Sequence, residues 1–330
     1  MGIGLPTRNG EGYIAEAIAS LLGQDRRDIE IVVADNASTD RTPDIVRGFE
    51  RRDSRIRHER VERPTSAPQN FNRAFELSRG PYFMWAADDD LWEPSYVRRC
   101  LAALSDDPTA VMATSGLRFI DPGGAPIKVD HARYDNPDLS SRSTVERVRR
   151  LLRRGGWYQV YGLARREALG RTHLFQDVYG PDVVLTLELA LAGPILRVPE
   201  TLFSYRRFPG RTEAVRAARQ GGIRDETEIM STPSTHLQES LSDAVRASTL
   251  AAPLKLRLLA EILDAFYVDD TPVRSRARPE AWRRARIAAR DRDVGRFVKF
   301  SLAHGLSRVG DLSGVGRRLA RRARRKLLRR

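Results

Sequence analysis

Short apolar runs alternate with amphipathic stretches along the first hundred residues of the chain. The runs are rich in β-branched residues, which is typical of strands that are buried on both faces. The stretches between them carry apolar residues three or four positions apart, which predicts helices. The predicted strands are residues 3–6, 29–34 and 82–87, and the predicted helices are residues 13–22, a segment opening at 42, and residues 70–78.

The alternation continues with less regular spacing up to about residue 210, and later segments are predicted to be mostly helical. Alternating strands and helices predict an α/β fold with a Rossmann-like, mostly parallel sheet flanked by helices. We predict a domain over residues 1–210, with halves at 1–104 and 105–210, and a helical extension over residues 211–330. The further predicted elements are helices at 94–104 and 183–191 and strands at 111–120 and 195–198.

Polar residues follow the predicted strands. Asn9 follows the first strand, Asp35 follows the second, and Asp88, Asp89 and Asp90 follow the third. Because parallel strands point the same way, their carboxyl ends meet at one edge of the sheet, where ligands of such folds bind. The sequence therefore predicts that these residues share one crevice.

The three adjacent aspartates repel one another unless a positive charge neutralises them. Mg²⁺ and Mn²⁺ prefer oxygen ligands, and a diphosphate supplies further oxygens. A solvated acidic turn is the alternative, and the position after a buried strand favours the cation. Asp35 also has an alternative role, since Asp, Asn and Ser favour turns and helix entries.

The positive charge is concentrated at the C-terminal end of the chain. The net charge is +14, but residues 271–330 alone hold 20 Lys and Arg against 4 Asp and Glu. The tail thus carries +16 and the remainder carries −2. A basic composition alone favours a nucleic-acid binder, but here the excess belongs to a tail and no base-reading motif accompanies it.

Apolar residues recur every three or four positions near the end of this tail, with arginines between them. The pattern is typical of a basic amphipathic helix on an anionic membrane surface or a partner. A solvated, frayed terminus is the alternative. The chain shows no spanning apolar run, no secretory signal and one cysteine, Cys100. We expect a cytoplasmic protein that docks on the inner face of the plasma membrane.

Four short motifs occur in a fixed order within the first hundred residues. They are Pro6-Thr7-Arg8-Asn9, Asp35-Asn36-Ala37-Ser38-Thr39-Asp40, Gly80-Pro81-Tyr82 and Asp88-Asp89-Asp90-Leu91-Trp92-Glu93-Pro94. Each motif is weak alone, but the ordered set resembles the family-2 glycosyltransferases with the GT-A fold. The resemblance extends from about residue 3 to residue 210.

This resemblance implies contacts with a nucleotide. In that family the loop after the first strand and the aspartate after the second bind the base and the ribose, and an aspartate of the third cluster also contacts the ribose. The matching residues here are Pro6, Thr7, Asn9, Asp35 and Asp88.

The resemblance also implies a metal site. Asp89 matches the usual metal ligand, and Asp90 is a second candidate for either the metal or the ribose. The chain departs from the family at two nearby positions. Ala87 stands where the family often has aspartate, and Arg8 stands where an aromatic residue is common.

Asp182, ahead of a predicted helix, matches the catalytic base of the family. It could instead cap that helix, since acidic residues favour helix starts. Asp177 and Glu188 are weaker rivals for the base. Phe208 stands where a histidine is common in the family. If that histidine contacts the metal or a phosphate in relatives, Arg206 or Arg207 would have to make the contact here.

The resemblance implies an inverting glycosyltransferase that moves a sugar from a UDP- or dTDP-linked donor to a hydroxyl of a glycan or glycolipid, with Mg²⁺ or Mn²⁺. Such an activity serves cell-envelope or other glycan synthesis. A nucleotidyltransferase that forms sugar nucleotides is an alternative, although residues 6–10 match its glycine-rich phosphate loop poorly. A nucleic-acid binder acting through the tail is a further alternative.

Overall fold

The computed structural model describes residues 1–129, 136–153, 158–208 and 233–267. The chain divides into two compact units, Met1–Ser231 and Thr232–Arg330. The predicted boundary after residue 210 and the predicted amphipathic helix of the tail lie outside the described residues.

The first unit opens with alternating strands and helices. The elements are β1 (Gly2–Thr7), α1 (Ile14–Leu22), β2 (Glu30–Asp35), α2 (Thr42–Glu50), β3 (Ile56–Arg60), α3 (Ala67–Leu77) and β4 (Tyr82–Trp85). The pattern of apolar residues predicts all of these except β3. Since β3 lies at the edge of the sheet and buries only Ile56, its sequence lacks an apolar run.

The rest of the first unit is less regular. Its elements are β5 (Leu91–Trp92), α4 (Tyr96–Asp106), β6 (Met112–Ile120), α5 (Thr144–Arg153), β7 (Leu163–Arg165), α6 (Arg166–Leu169), α7 (Pro181–Ala192) and β8 (Ile195–Arg206). The expectation of a short strand at 195–198 is wrong, because β8 has 12 residues. Its central Pro199 and Glu200 interrupt the apolar pattern, and its pairing with β6 shifts register around Gly116.

The eight strands form one sheet in the order β3-β2-β1-β4-β7-β6-β8-β5. The strands β1 to β4 are mutually parallel, and β6 is parallel to β8. Strand β7 is antiparallel to both β4 and β6, so β6 and β8 point in the same direction as β1. Six of these eight strands therefore end at one edge, which we call the carboxyl edge, and the predicted mostly parallel α/β sheet is confirmed.

Buried apolar side chains of the strands and of α1 form the core beneath this edge. Ile3, Leu5, Ile18, Val33 and Met84 belong to it. Their burial holds the strands in place, and the loops at the carboxyl edge follow directly from the ends of these strands.

The second unit, over its described residues, is a pair of helices, α8 (Pro233–Ala247) and α9 (Ala252–Tyr267). Leu241, Val245, Leu258 and Ile262 are buried. Across the described part of the chain, every helix is too short or too polar to cross a membrane.

Candidate active site

The ends of β1 and β2 lie side by side at the carboxyl edge. Thr7 and Asp35 are partners in the parallel register, and the backbone N–H of Asn36 donates to the carbonyl of Thr7 at 2.9 Å. The first two of the predicted polar clusters are therefore adjacent, as the sheet-edge argument requires.

The loop after β1 is locked onto the turn after β2. Asn9 has a left-handed backbone with φ 55°, a conformation that Asn tolerates better than most residues. Its N–H donates to Ser38 Oγ at 3.0 Å, and its side-chain Oδ1 accepts from the N–H of Thr39 at 2.8 Å. Asn9 therefore shapes the loop in which the nucleotide contacts are predicted.

Asp35 is fully buried at the base of this turn. Its Oδ1 accepts from the N–H of Ser38 at 2.8 Å, and its Oδ2 lies 3.2 Å from His58 Nε2 and 3.5 Å from Arg60 Nε. Burial raises the pKa of Asp35, but the hydrogen bonds from His58 and Ser38 outweigh it, so the pKa lies below its ordinary value. The carboxylate thus holds the turn, and a contact with the nucleotide stays a prediction.

The third cluster joins the first through one short hydrogen bond. Thr7 Oγ1 donates to Asp88 Oδ2 at 2.5 Å. Gly10 leaves room for this pair, since a Cβ at Gly10 would lie 2.5 Å from the same Asp88 oxygen and 2.7 Å from Thr7 Oγ1. The structure therefore brings Thr7, Asp88 and the Asn9 loop together.

The three consecutive aspartates have different surroundings. Asp88 and Asp89 are half-buried, whereas Asp90 is fully buried. The Oδ1 of Asp90 accepts the backbone N–H of Arg206 at 2.7 Å. Asp90 therefore ties this loop to the end of β8.

Arg206 is buried and joins the aspartate loop to α1 and to the turn after β6. Its Nε donates to the carbonyl of Asp89 at 2.8 Å, and its Nη2 donates to Glu16 Oε2 at 2.8 Å. Its Nη1 donates to the carbonyl of Pro122 at 2.8 Å, and its guanidinium lies 4.7 Å from the centre of the Tyr13 ring. A buried, fully bonded guanidinium is a poor substitute for the missing histidine, which leaves Arg207 as the candidate.

Asp182 is the second residue of α7, and the N-cap is Gly180, which has a left-handed backbone with φ 66°. Asp182 is therefore not the N-cap, although its charge suits the first turn. The two residues Gly193 and Pro194 join α7 to β8, so the helix leads down to the start of β8. Its first turn then lies about 18 Å from the start of β8, at ~1.5 Å per residue. A place for Asp182 at the carboxyl edge stays a prediction.

The rivals of Asp182 differ from it in their surroundings. Glu188 is buried, and its two oxygens hold the backbone N–H of His173 at 2.9 Å and the Nδ1 of that residue at 2.5 Å. This pairing gives Glu188 a structural role in fixing the segment before α7. Asp177 belongs to that segment and stays the nearer rival.

A crevice too narrow to admit a water molecule lies beside Thr7, between the end of β1 and the first turn of α3. It is lined by Pro6, Thr7, Ala67, Asn70 and Phe71. Sequence reasoning did not single out the three residues from α3, because on the sequence they belong to an ordinary amphipathic helix. A more open cavity beside Tyr82 and Arg166 lies at the opposite edge of the sheet and holds none of the predicted residues.

The donor set around the aspartate loop suits a hard divalent cation only in part. Within the described ranges, no three Asp, Glu, His or Cys side chains are grouped so that they could hold a metal ion. Asp90 is buried and bonded to Arg206, whereas Asp88 and Asp89 are half-buried. Asp88 and Asp89 are therefore the candidate metal ligands of the loop. Mg²⁺ sites often use one or two carboxylates together with substrate phosphates and water, and this loop fits that type.

The sequence profile of glycosyl transferase family 2 matches residues 3–166, which run from β1 through β7 and into α6. The chain belongs to that family through this segment, and the resemblance carried by the four motifs is confirmed. The segment contains Thr7, Asn9, Asp35 and the three aspartates, whereas Asp182 lies beyond it.

Curated relatives are similar over parts of the chain. TuaG of Bacillus subtilis, a glycosyltransferase provisionally assigned to teichuronic acid biosynthesis, is 30% identical over 128 residues, which are 38% of this chain and 50% of TuaG. The glycosyltransferase GlyG of Streptococcus pneumoniae is 21% identical over 79% of this chain and 85% of GlyG. For the first three curated relatives, the match spans 50%, 33% and 56% of their length, which is less than two thirds of each.

Solved structures confirm the GT-A fold. The S. aureus TarS fragment 1–349 in complex with UDP-GlcNAc has a TM-score of 0.60 at 15% identity, over 93% of this chain and 91% of that one. The mannosyltransferase PcManGT from Pyrobaculum calidifontis, in complex with GDP-Man and Mn²⁺, has a TM-score of 0.53 at 17% identity, over 94% and 87%. At these identities the likeness concerns the fold alone.

Proposed function

We propose that the protein transfers a sugar from a nucleoside-diphosphate sugar to an acceptor hydroxyl. The observation that carries this proposal is the hydrogen-bonded network at the carboxyl edge, in which Thr7 binds Asp88 and Asn9 binds the turn after β2. Membership of family 2 supports the reaction class, and the TarS and PcManGT complexes with UDP-GlcNAc and GDP-Man support a nucleotide-sugar donor.

The half-buried Asp88 and Asp89 are proposed to act on the donor. Asp88, fixed by Thr7, contacts the ribose, and Asp89 binds Mg²⁺ or Mn²⁺ together with the diphosphate. A bound cation supplies positive charge against the negative charge that develops on the leaving diphosphate. The chain itself supplies the rigid loop, because Arg206 holds it from behind through the carbonyl of Asp89.

Asp182 is proposed as the general base. An acceptor hydroxyl loses its proton to this carboxylate while its oxygen attacks the anomeric carbon from the face opposite the leaving group. One displacement forms the new C–O bond as the old one breaks, so the anomeric centre inverts and no covalent enzyme intermediate is needed. The left-handed Gly180 fixes the start of the helix that carries Asp182.

The acceptor is proposed to be a glycan or glycolipid of the cell envelope. The support is the similarity to TuaG, which is provisionally assigned to teichuronic acid biosynthesis, and the +16 charge of residues 271–330. Each basic residue near an anionic leaflet adds about 1 kcal/mol of binding energy, so such a tail favours docking on the inner membrane surface. Sedimentation with anionic vesicles, for the full chain and for one ending at Gly310, tests this docking.

The test of the donor site is thermal stabilisation by nucleotides. UDP or dTDP at a hundredfold excess over Kd should stabilise the protein by about 2.7 kcal/mol when Mg²⁺ or Mn²⁺ is present, and by much less with a chelator. Stabilisation that is equal with and without chelator would contradict the metal role. If UDP, dTDP, GDP and CDP all leave the stability unchanged, the proposed donor site itself is wrong.

A further inference from the structure

A cavity of about 410 Å³ lies at the start of β4, on the side of the sheet away from the aspartate loop. Tyr82 begins β4, and its partner in the antiparallel register is Arg165, which ends β7. Gly2 of β1 lies beside Phe83, and Thr7 follows five residues later at the other end of β1. At ~3.3 Å per residue, Tyr82 is therefore about 20 Å from the level of the proposed donor site.

Arg165, in the wall of this cavity, is half-buried and held by uncharged groups. Its Nε donates to the carbonyl of Ala110 at 2.9 Å, and its Nη2 donates to the carbonyl of Leu104 at 2.6 Å. Its Nη1 donates to the Tyr82 hydroxyl at 3.3 Å, so the O–H of Tyr82 can donate to another group. A guanidinium has five N–H groups, and these bonds leave one on each terminal nitrogen for a ligand.

Arg166 also lines the cavity, and it is held in the same way. Its Nε donates to the carbonyl of Gly80 at 2.8 Å, and its Nη2 donates to Ser78 Oγ at 2.5 Å. Its guanidinium lies 4.5 Å from the centre of the Phe75 ring. Burial lowers the pKa of Arg166, against an opposing effect of Glu30, but arginine stays charged in proteins. The cation is thus fixed in place, partly removed from water.

The two arginines have no ion-pair partner among the residues that the structure describes. Glu167 lines the cavity too, but it is exposed and pairs with Arg171. Glu30 pairs with Arg57 and accepts the backbone N–H of Arg79. Charges that are partly removed from water normally have an oppositely charged neighbour, because desolvation disfavours a lone charge. Two adjacent guanidiniums without such a neighbour, in the wall of a cavity, indicate a site for an anion.

We propose that Arg165, Arg166 and Tyr82 bind the phosphate group of a phosphate ester in this cavity. A phosphate monoester carries a charge near −2 and three acceptor oxygens, which matches two cations and a hydroxyl donor. A carboxylate carries a single negative charge and would leave one of the cations uncompensated. The volume of about 410 Å³ lies within the range of small-molecule sites, about 300–1,000 Å³, so the organic part of the ester fits as well. The site does not depend on the proposed function, since it shares no residue with the donor site.

The experiment compares two sources of the phosphate group on the full chain. The soluble source is glycerol 3-phosphate, and the lipid source is phosphatidic acid in phosphatidylcholine vesicles. A chelator is present throughout, so that a cation at Asp89 does not contribute. Arg165→Gln removes one cation and should weaken the binding of glycerol 3-phosphate by about tenfold or more, because charge-assisted hydrogen bonds are strong.

The two arms also identify the source. A loss of vesicle affinity in Arg165→Gln assigns the site to lipid head groups, and a loss confined to glycerol 3-phosphate assigns it to a soluble ester. Equal affinity of the variant and the unmodified protein for both probes overturns the proposal. A lack of saturable binding of either probe to the unmodified protein overturns it as well.

A second variant covers the case in which Arg165→Gln does not fold. The side chain of Glu167 is 75% exposed, so Glu167→Gln should leave the fold intact. It removes a negative charge from the cavity wall and should tighten the binding of glycerol 3-phosphate by about twofold to fivefold, the range of exposed charge pairs. Asp44→Asn is the matched control, because Asp44 is another exposed carboxylate paired with an arginine, Arg47. If both variants change the affinity equally, or if neither changes it, the cavity does not bind the phosphate group and the proposal fails.

Discussion

The two halves of the sheet, β3-β2-β1-β4 and β7-β6-β8-β5, differ in how their strands reach the carboxyl edge. In the half that contains β1 to β4, these four strands are all parallel to one another, and Asn9 and Asp35 lie at their carboxyl edge. In the other half, β5 and β7 run in the opposite direction. The loop of three aspartates is joined to that half by Arg206, which is 116 positions away from Asp90.

The difference separates local from long-range control of the site. A change in a turn of the first half alters a few hydrogen bonds near the crevice, whereas a change at Arg206 affects contacts with α1, the aspartate loop and the turn after β6. We therefore expect the first half to govern donor binding, and the second half to govern the stability of the loop and the transfer step.

The largest effect is expected at Asp182. Asp182→Asn preserves the shape of the side chain but removes the proton acceptor, so kcat should fall by about 10² to 10⁴ while donor affinity is kept. Initial rates and donor titrations measure the two quantities separately.

Asp177→Asn is the matched control for Asp182→Asn, since it removes a carboxylate from the segment just before α7. Its kcat should stay near that of the unmodified protein. A reversed result, with Asp182→Asn active and Asp177→Asn inactive, would transfer the role of base to Asp177.

Arg206→Ala should produce the next largest effect, a loss of about 2–5 kcal/mol in the free energy of unfolding. The substitution leaves a cavity and removes the donors to the carbonyls of Asp89 and Pro122. Urea unfolding measures the loss. Arg207→Ala is the control, because the guanidinium of Arg207 is half-buried and lies 5.6 Å from the Phe119 ring centre, a contact worth about 1 kcal/mol. Equal losses for both variants would contradict the larger contribution of Arg206 to the free energy of unfolding.

Local patterns predict much of the first half. The apolar runs of β1, β2 and β4 and the helical spacing of α1 are short-range features, and the rule for parallel sheets then brings Thr7 and Asp88 to one edge. The hydrogen bond between these two residues spans 81 positions, yet it follows from the strand order.

The same reasoning fails where distant residues decide the outcome. Nothing in the aspartate run shows that Asp90 is buried while its neighbours are half-buried, because the cause is the backbone N–H of Arg206. Strand β3 was missed because an edge strand needs only one apolar residue, Ile56.

Substitutions in the aspartate run should give opposite results at adjacent positions. Asp90→Ala leaves the N–H of Arg206 without its partner, which should lower the stability of the ligand-free protein by about 1–3 kcal/mol. Asp89→Ala should leave that stability nearly unchanged but remove most of the metal-dependent stabilisation by UDP. Thermal unfolding with and without UDP and Mn²⁺ measures both. If Asp89→Ala still responds to metal and Asp90→Ala does not, Asp90 is the metal ligand.

The smallest effect is expected at Asp35 and appears only in acid. Its folded pKa is lowered, since the hydrogen bonds from His58 and Ser38 outweigh the opposing effect of burial. An ordinary aspartate has a pKa of about 3.9, so the ionised Asp35 stabilises the fold above that pH, and this contribution is lost as the pH falls through the folded pKa. Asp35→Asn should therefore be less stable at neutral pH and should lose less stability between pH ~5 and ~2. Urea midpoints across this range measure the slope, and Asp44→Asn on the exposed face of α2 is the control. If the stability of Asp35→Asn falls with acid as steeply as that of the unmodified protein, the charge of Asp35 does not stabilise the turn after β2.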